Sequence, residues 1–152
     1  MSETLEPALP AHLDQQADQL MRKLCNNELT VATAESCTGG MLAALLTDIE
    51  GAGHGFDRGF VTYTNEAKAE LLGIDRDGAD LAVGVTGFAG PAGPGNEEGL
   101  VHMALASRNA PTLHREEHFG AIGRGSIRVR SLEVMLEMLS GSLDECAASP
   151  GA

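Results

Sequence analysis

The segment LTVATAESCTGGMLAALLTDI, residues 29–49, changes its hydrophobic period half-way along. Leu29 to Ala34 is short, apolar and β-prone, which fits a buried strand, whereas MLAALLTDI (41–49) has the apolar density of a helix packed on a sheet. Between them Glu35-Ser36-Cys37-Thr38-Gly39-Gly40 turns strand into helix. A strand feeding a helix directly is the first half of a βαβ unit, and the chain beyond continues the alternation. GAGHG at 51–55 breaks the helix, Gly59 to Thr64 (GFVTYT) reads as a second strand, and Asn65 caps a short helix, EAKAELLGI, ended by Gly73. Leu81 to Thr86 (LAVGVT) is a third strand, running into the loop GFAGPAGPGNEEG.

Upstream, Leu13, Ala17, Leu20, Met21 and Leu24 recur on one face of a helix predicted over 11–25. Downstream, 100–107 and 112–119 read as an antiparallel pair around Asn109-Ala110-Pro111, followed by a helix from about 126 to 139 with Leu132, Met135, Leu136 and Leu139 on one side. The order implies an α/β layered sandwich with a mixed, mostly parallel sheet flanked by helices. One domain over 11–140 is expected, with 1–10 and 141–152 as flexible tails.

Composition narrows the function. The chain has 152 residues, 43% of them hydrophobic, so it can bury roughly 70% of the surface its unfolded form exposes. Its net charge of −12 repels polyanions, and nucleic acid is not an expected partner. No apolar run approaches the roughly 20 residues that span a bilayer, and MSETLEPALP lacks the basic start of a signal peptide, so a cytoplasmic protein without membrane contact is expected. Cys25, Cys37 and Cys146 show no CxxC spacing and read as free thiols. The five histidines, at 12, 54, 102, 114 and 118, form no HExxH pair; neither a metal nor a cofactor is expected.

Ligands of α/β sheets gather at the carboxyl ends of the strands, so the junctions at Ser36, Tyr63 and Thr86 should share one rim if their strands are parallel. At the first junction the N–H groups of Cys37, Thr38, Gly39 and Gly40 precede the helix and could bind a phosphate or an oxyanion. Equally, Ser36 or Thr38 could serve only as a cap, with the glycines making a tight turn. Ser36 as a nucleophile needs a base, for which Lys68 and a relaying Tyr63 are candidates; each also reads as an ordinary helix lysine or strand aromatic. Arg124 and Arg128, near the start of the last helix, could hold a substrate phosphate or merely keep the surface soluble.

The strings TAESCTGG, FDRGFVTYTNEAKAELLGI, VTGFAGPAGP and GLVHMALA together resemble the C-terminal domain family of the competence/damage-inducible protein CinA, over about residues 31–130. Stand-alone members of that family act as nicotinamide-nucleotide amidohydrolases. The resemblance implies an α/β sandwich that converts the carboxamide of nicotinamide mononucleotide to a carboxylate with release of ammonia. It makes Ser36 the nucleophile, Lys68 the general base and Tyr63 a hydroxyl assisting proton transfer. Thr86 and the surrounding GFAGP, with Gly87 and Gly90, would line the substrate pocket beside the turn amides of Cys37, Thr38, Gly39 and Gly40, and Arg124 or Arg128 would take the phosphate. Family members usually carry a further helix, with a motif like GAVSEE, before the strand that precedes TGIAGP; here Gly73 to Gly78 leads almost at once to Leu81. A pocket wall could then be absent or come from a partner subunit in a homo-oligomer. The competing reading is a non-catalytic nucleotide-binding or interaction module of the same fold.

Overall fold

The computed structural model describes residues 9–64, 78–108 and 110–148. In chain order these form α1 (Ala11–Asn26), β1 (Val31–Glu35), α2 (Met41–Thr47), a 3-10 turn at Gly53–Gly55, β2 (Phe56–Val61), β3 (Leu81–Gly87), β4 (Leu100–Ser107), β5 (Ala110–His118) and α3 (Arg124–Ala148). The helix expected at EAKAELLGI lies outside the described residues. The strands make one sheet in the order β2-β1-β3-β4-β5. β1 pairs in parallel with β2 and β3, while β3–β4 and β4–β5 are antiparallel, so the sheet is mixed.

Alternation along the strands explains the layers. Val31, Thr33 and Glu35 of β1, Leu81, Val83 and Val85 of β3, and Val101, Met103 and Leu105 of β4 are all buried on one face. That face receives the helices: α2 packs on β1 and β2, α3 on β3 and β4, and α1 against both helices. The predicted apolar face of α1 is its buried face, with Asp14 in the first turn and Lys23 in the last, the polarity a helix dipole favours. α1 stops where the Asn27 side chain donates to the Lys23 carbonyl at 2.7 Å and Glu28 turns to a φ of 55°.

Several boundaries differ from the sequence reading, among them that of β5, which starts at Ala110 within the expected turn. β1 starts at Val31 rather than Leu29. β2 starts at Phe56 and ends at Val61, because Val31 pairs with Phe56 but Ala32 with Arg58, which leaves Asp57 as an extra residue in the edge strand. Gly59 then faces α2: a Cβ there would stand 2.9 Å from Thr33 Oγ1 and 3.1 Å from Ala43 Cβ, so glycine lets the helix lie close. The last helix runs to Ala148, so residues 141–148 are helical rather than a tail. Leu143 is buried there, four residues after Leu139, and continues the apolar face past the small polar residues that suggested an end. At the other end Leu9 joins the core.

Candidate active site

Because β1, β2 and β3 run parallel, their carboxyl ends form one rim. The connection from β1 leads out to β2 on one side, while β3 lies on the other, which makes the end of β1 the switch point where α/β sheets open a crevice. Ser36 follows the last residue of β1. Its amide donates to the Val85 carbonyl of β3 at 3.1 Å, and the Thr62 amide donates to the Glu35 carbonyl at 2.9 Å, so both neighbouring strands clamp the chain just where the serine stands. Period two sends Glu35 toward the helices and Ser36 to the opposite face, the side of Ala34, Thr86 and Thr62. There Ser36 and Thr86 border an open cavity of about 1070 Å³ among the described residues. Ser36 is only 7% exposed, and its hydroxyl makes no hydrogen bond among the described residues.

The turn after Ser36 differs from a set of free amides. Gly39 N–H donates to the Ser36 carbonyl at 3.0 Å and Met41 N–H to the Thr38 carbonyl at 3.1 Å. The next two amides of α2, at Leu42 and Ala43, both donate to the Glu35 carboxylate, at 2.8 and 3.0 Å, and Thr38 Oγ1 donates to it at 2.8 Å. Glu35 is 1% exposed, so an internal carboxyl group already takes the amides of Leu42 and Ala43, and neither of those two is left for a substrate. Thr38 is wholly buried with its hydroxyl engaged, and the Cys37 thiol is 4% exposed within the core. Neither side chain reaches the rim; Gly39 and Gly40 do, at φ values of 60° and 92°.

Two guanidinium groups tie the junctions together. Arg128 Nη2 donates to the Thr38 carbonyl at 3.0 Å, lying so close over Gly39 that a Cβ there would touch it at 3.0 Å. Arg124 Nη1 donates to the carbonyl of buried Gly90 at 3.0 Å, and its Nη2 donates to Tyr63 Oη at 3.2 Å. Tyr63, 63% exposed, stands beyond the end of β2. Arg124 thus joins the second and third junctions and Arg128 holds the first. Gly87 pairs with Val101 against β4, where a Cβ would collide with the Leu100 carbonyl and Val101 Cα, so this glycine is required by strand contact. The loop after it is held at its far end by His118, whose Nδ1 meets Glu97 at 2.7 Å and whose Nε2 meets Glu116 at 2.8 Å. The bond to Glu97, then the bond to Glu116, raises the His118 pKa. Lys68 lies outside the described residues.

Glu35 escaped the sequence reading, although counting by twos from Val31 puts it on the buried face and a buried carboxylate demands donors.

Comparison with known proteins bears on this arrangement. The family model of the CinA C-terminal domain matches residues 13–78 and 74–143. The chain belongs to the CinA C-terminal domain family. Among its relatives, the nicotinamide-nucleotide amidohydrolase PncC of Escherichia coli K12 is 34% identical over 155 aligned positions, covering 85% of this chain and 93% of PncC. A putative competence-damage inducible protein of Acetivibrio thermocellus is 38% identical, covering 86% of this chain but only 37% of that longer protein. The crystal structure of the competence/damage inducible protein CihA from Agrobacterium tumefaciens superposes with a TM-score of 0.82 at 38% identity, covering 90% of this chain and 98% of CihA. The family model matches in two overlapping pieces that meet at residues 74–78. The connection from Val61 to Leu81 is still longer than the dozen residues a parallel crossover needs. Among the described residues no helix is long and apolar enough to cross a membrane.

Proposed function

We propose that the protein is a nicotinamide-nucleotide amidohydrolase that deamidates nicotinamide mononucleotide through a serine nucleophile in the cytoplasm. The observation that carries this reading is the placement of Ser36 at the switch point, in a chain aligned over 93% of an amidohydrolase of that class. Ser36 Oγ attacks the carboxamide carbon while Lys68 takes its proton. Tyr63 assists delivery of a proton to the nitrogen, which leaves as ammonia, and water then cleaves the acyl-enzyme to nicotinate mononucleotide and free Ser36. The oxyanion falls to turn amides outside the bonds to Ser36, Thr38 and Glu35, those of Thr38 and Gly40 among them. The test is ammonia release from nicotinamide mononucleotide beside free nicotinamide and glutamine. Release from the nucleotide alone is the expected result, and release from none of the three would favour a non-catalytic nucleotide-binding module.

For the phosphate, the two arginines differ in exposure. Arg128 is half-buried with Nε sequestered from solvent, while Arg124 is exposed at the head of a 25-residue helix with no acidic residue in its first turn. We assign the phosphate to Arg124 and the N-terminus of α3. Arg124→Lys should therefore raise KM for nicotinamide mononucleotide about tenfold and leave KM for nicotinamide riboside, which has no phosphate, nearly unchanged. Arg128→Lys should affect the two substrates equally. Steady-state kinetics on both substrates check this, and a phosphate-selective loss in Arg128→Lys would reverse the assignment.

A further inference from the structure

We propose that Glu35 is a positioning residue for Ser36, a role that rests on Ser36 being the nucleophile. The carboxylate ends β1 on the buried face, immediately before the serine, and takes its hydrogen bonds from beyond it: Thr38 Oγ1 and Leu42 N–H on one oxygen, Ala43 N–H on the other. These bonds span three, seven and eight residues, so one side chain fixes the end of the strand relative to the start of the helix with the serine turn in between. Capping α2 alone does not require this. A short Ser, Thr, Asp or Asn at the cap position caps a helix without burying a charge, and here that position is Gly40, with no side-chain cap bond. A glutamate from the strand adds what a local cap cannot, a rigid span across the turn. Thr38 carries the tie further, since its hydroxyl donates to Glu35 while its carbonyl receives Arg128 from α3. The serine backbone is held by Val85 and Gly39, and the carboxylate prevents the helix from sliding relative to that anchor. Positional error of about 1 Å at a reacting atom can cost a hundredfold in rate, so the tie acts on turnover.

The experiment compares Glu35→Gln and Thr38→Val with wild type by thermal unfolding, by kcat and KM on nicotinamide mononucleotide, and by the rate at which a fluorophosphonate labels Ser36. Labelling reads the nucleophile without the nucleotide. Glu35→Gln keeps the size but turns one acceptor oxygen into an NH₂ that faces a donor; kcat and the labelling rate should both fall at least tenfold, with KM changed less than threefold. Thr38→Val, which removes one bond and keeps the shape, should give a smaller fall in the same two quantities and covers the case in which Glu35→Gln does not fold. Folded variants that lose thermal stability yet keep wild-type kcat and labelling would overturn the proposal, leaving Glu35 a cap. If wild type releases no ammonia but its Ser36 is labelled and the variants slow that labelling, the substrate assignment fails and the positioning role stands. A wild-type Ser36 that does not react at all overturns both.

Discussion

Ser36→Ala should reduce ammonia release by roughly a thousandfold or more while shifting Tm by no more than about 3 °C. The two effects separate because the serine's structural bonds are made by its backbone, the amide to Val85 and the carbonyl from Gly39, and alanine keeps both. The hydroxyl makes no hydrogen bond among the described residues, so its loss strands no partner among them. Cys37→Ala gives the contrast. Its thiol belongs to the core, so that substitution should cost some stability through a small cavity and leave turnover of the folded protein intact. Activity that survives in Ser36→Ala and disappears in Cys37→Ala would make the neighbouring thiol the nucleophile.

The fold was legible because its signals are periodic. A helix of period 3.6 at α1, the strand-to-helix switch at 35–40 and the strand at LAVGVT each depend on neighbours in sequence. What the periodicity missed has a local physical cause in each case. Asp57 is an extra residue in an edge strand, and a bulge has no hydrophobic signature because the residue it inserts stays exposed. The end of α3 was hidden by Ser140-Gly141-Ser142, whose low helix propensity is outweighed by Leu143 packing into the core.

The site was legible to the extent that it follows from topology. Strand ends are where ligands bind, so Ser36 and Thr86 could be placed from the order of elements alone. Side-chain bonds between distant segments have no such rule. Nothing in the spacing of residues 63, 90 and 124 announces that one guanidinium joins a phenol to a carbonyl, and Arg128 over Gly39 spans the domain from its last helix to its first turn. The amides after Ser36 look equivalent in sequence, but buried Glu35 takes those of Leu42 and Ala43 into holding the fold.

The second large effect is expected at Lys68. Methionine matches lysine in length and apolar volume but takes no proton, so Lys68→Met tests the base with little change in bulk. A general base acts in the transition state and adds little to ground-state affinity. kcat should therefore fall about a hundredfold or more with KM changed only slightly. The sign of the pH dependence follows from charge: an ammonium has no lone pair, so wild-type kcat/KM should rise with pH as the lysine becomes neutral and then level off. In Lys68→Met that rise should disappear, leaving a low, flat profile over the same range. Tyr63→Phe should keep the rise and lower the plateau, since the phenol relays a proton it does not itself need to lose. Unchanged turnover in Lys68→Met, or a rising profile that survives it, would assign the base to another group at the rim.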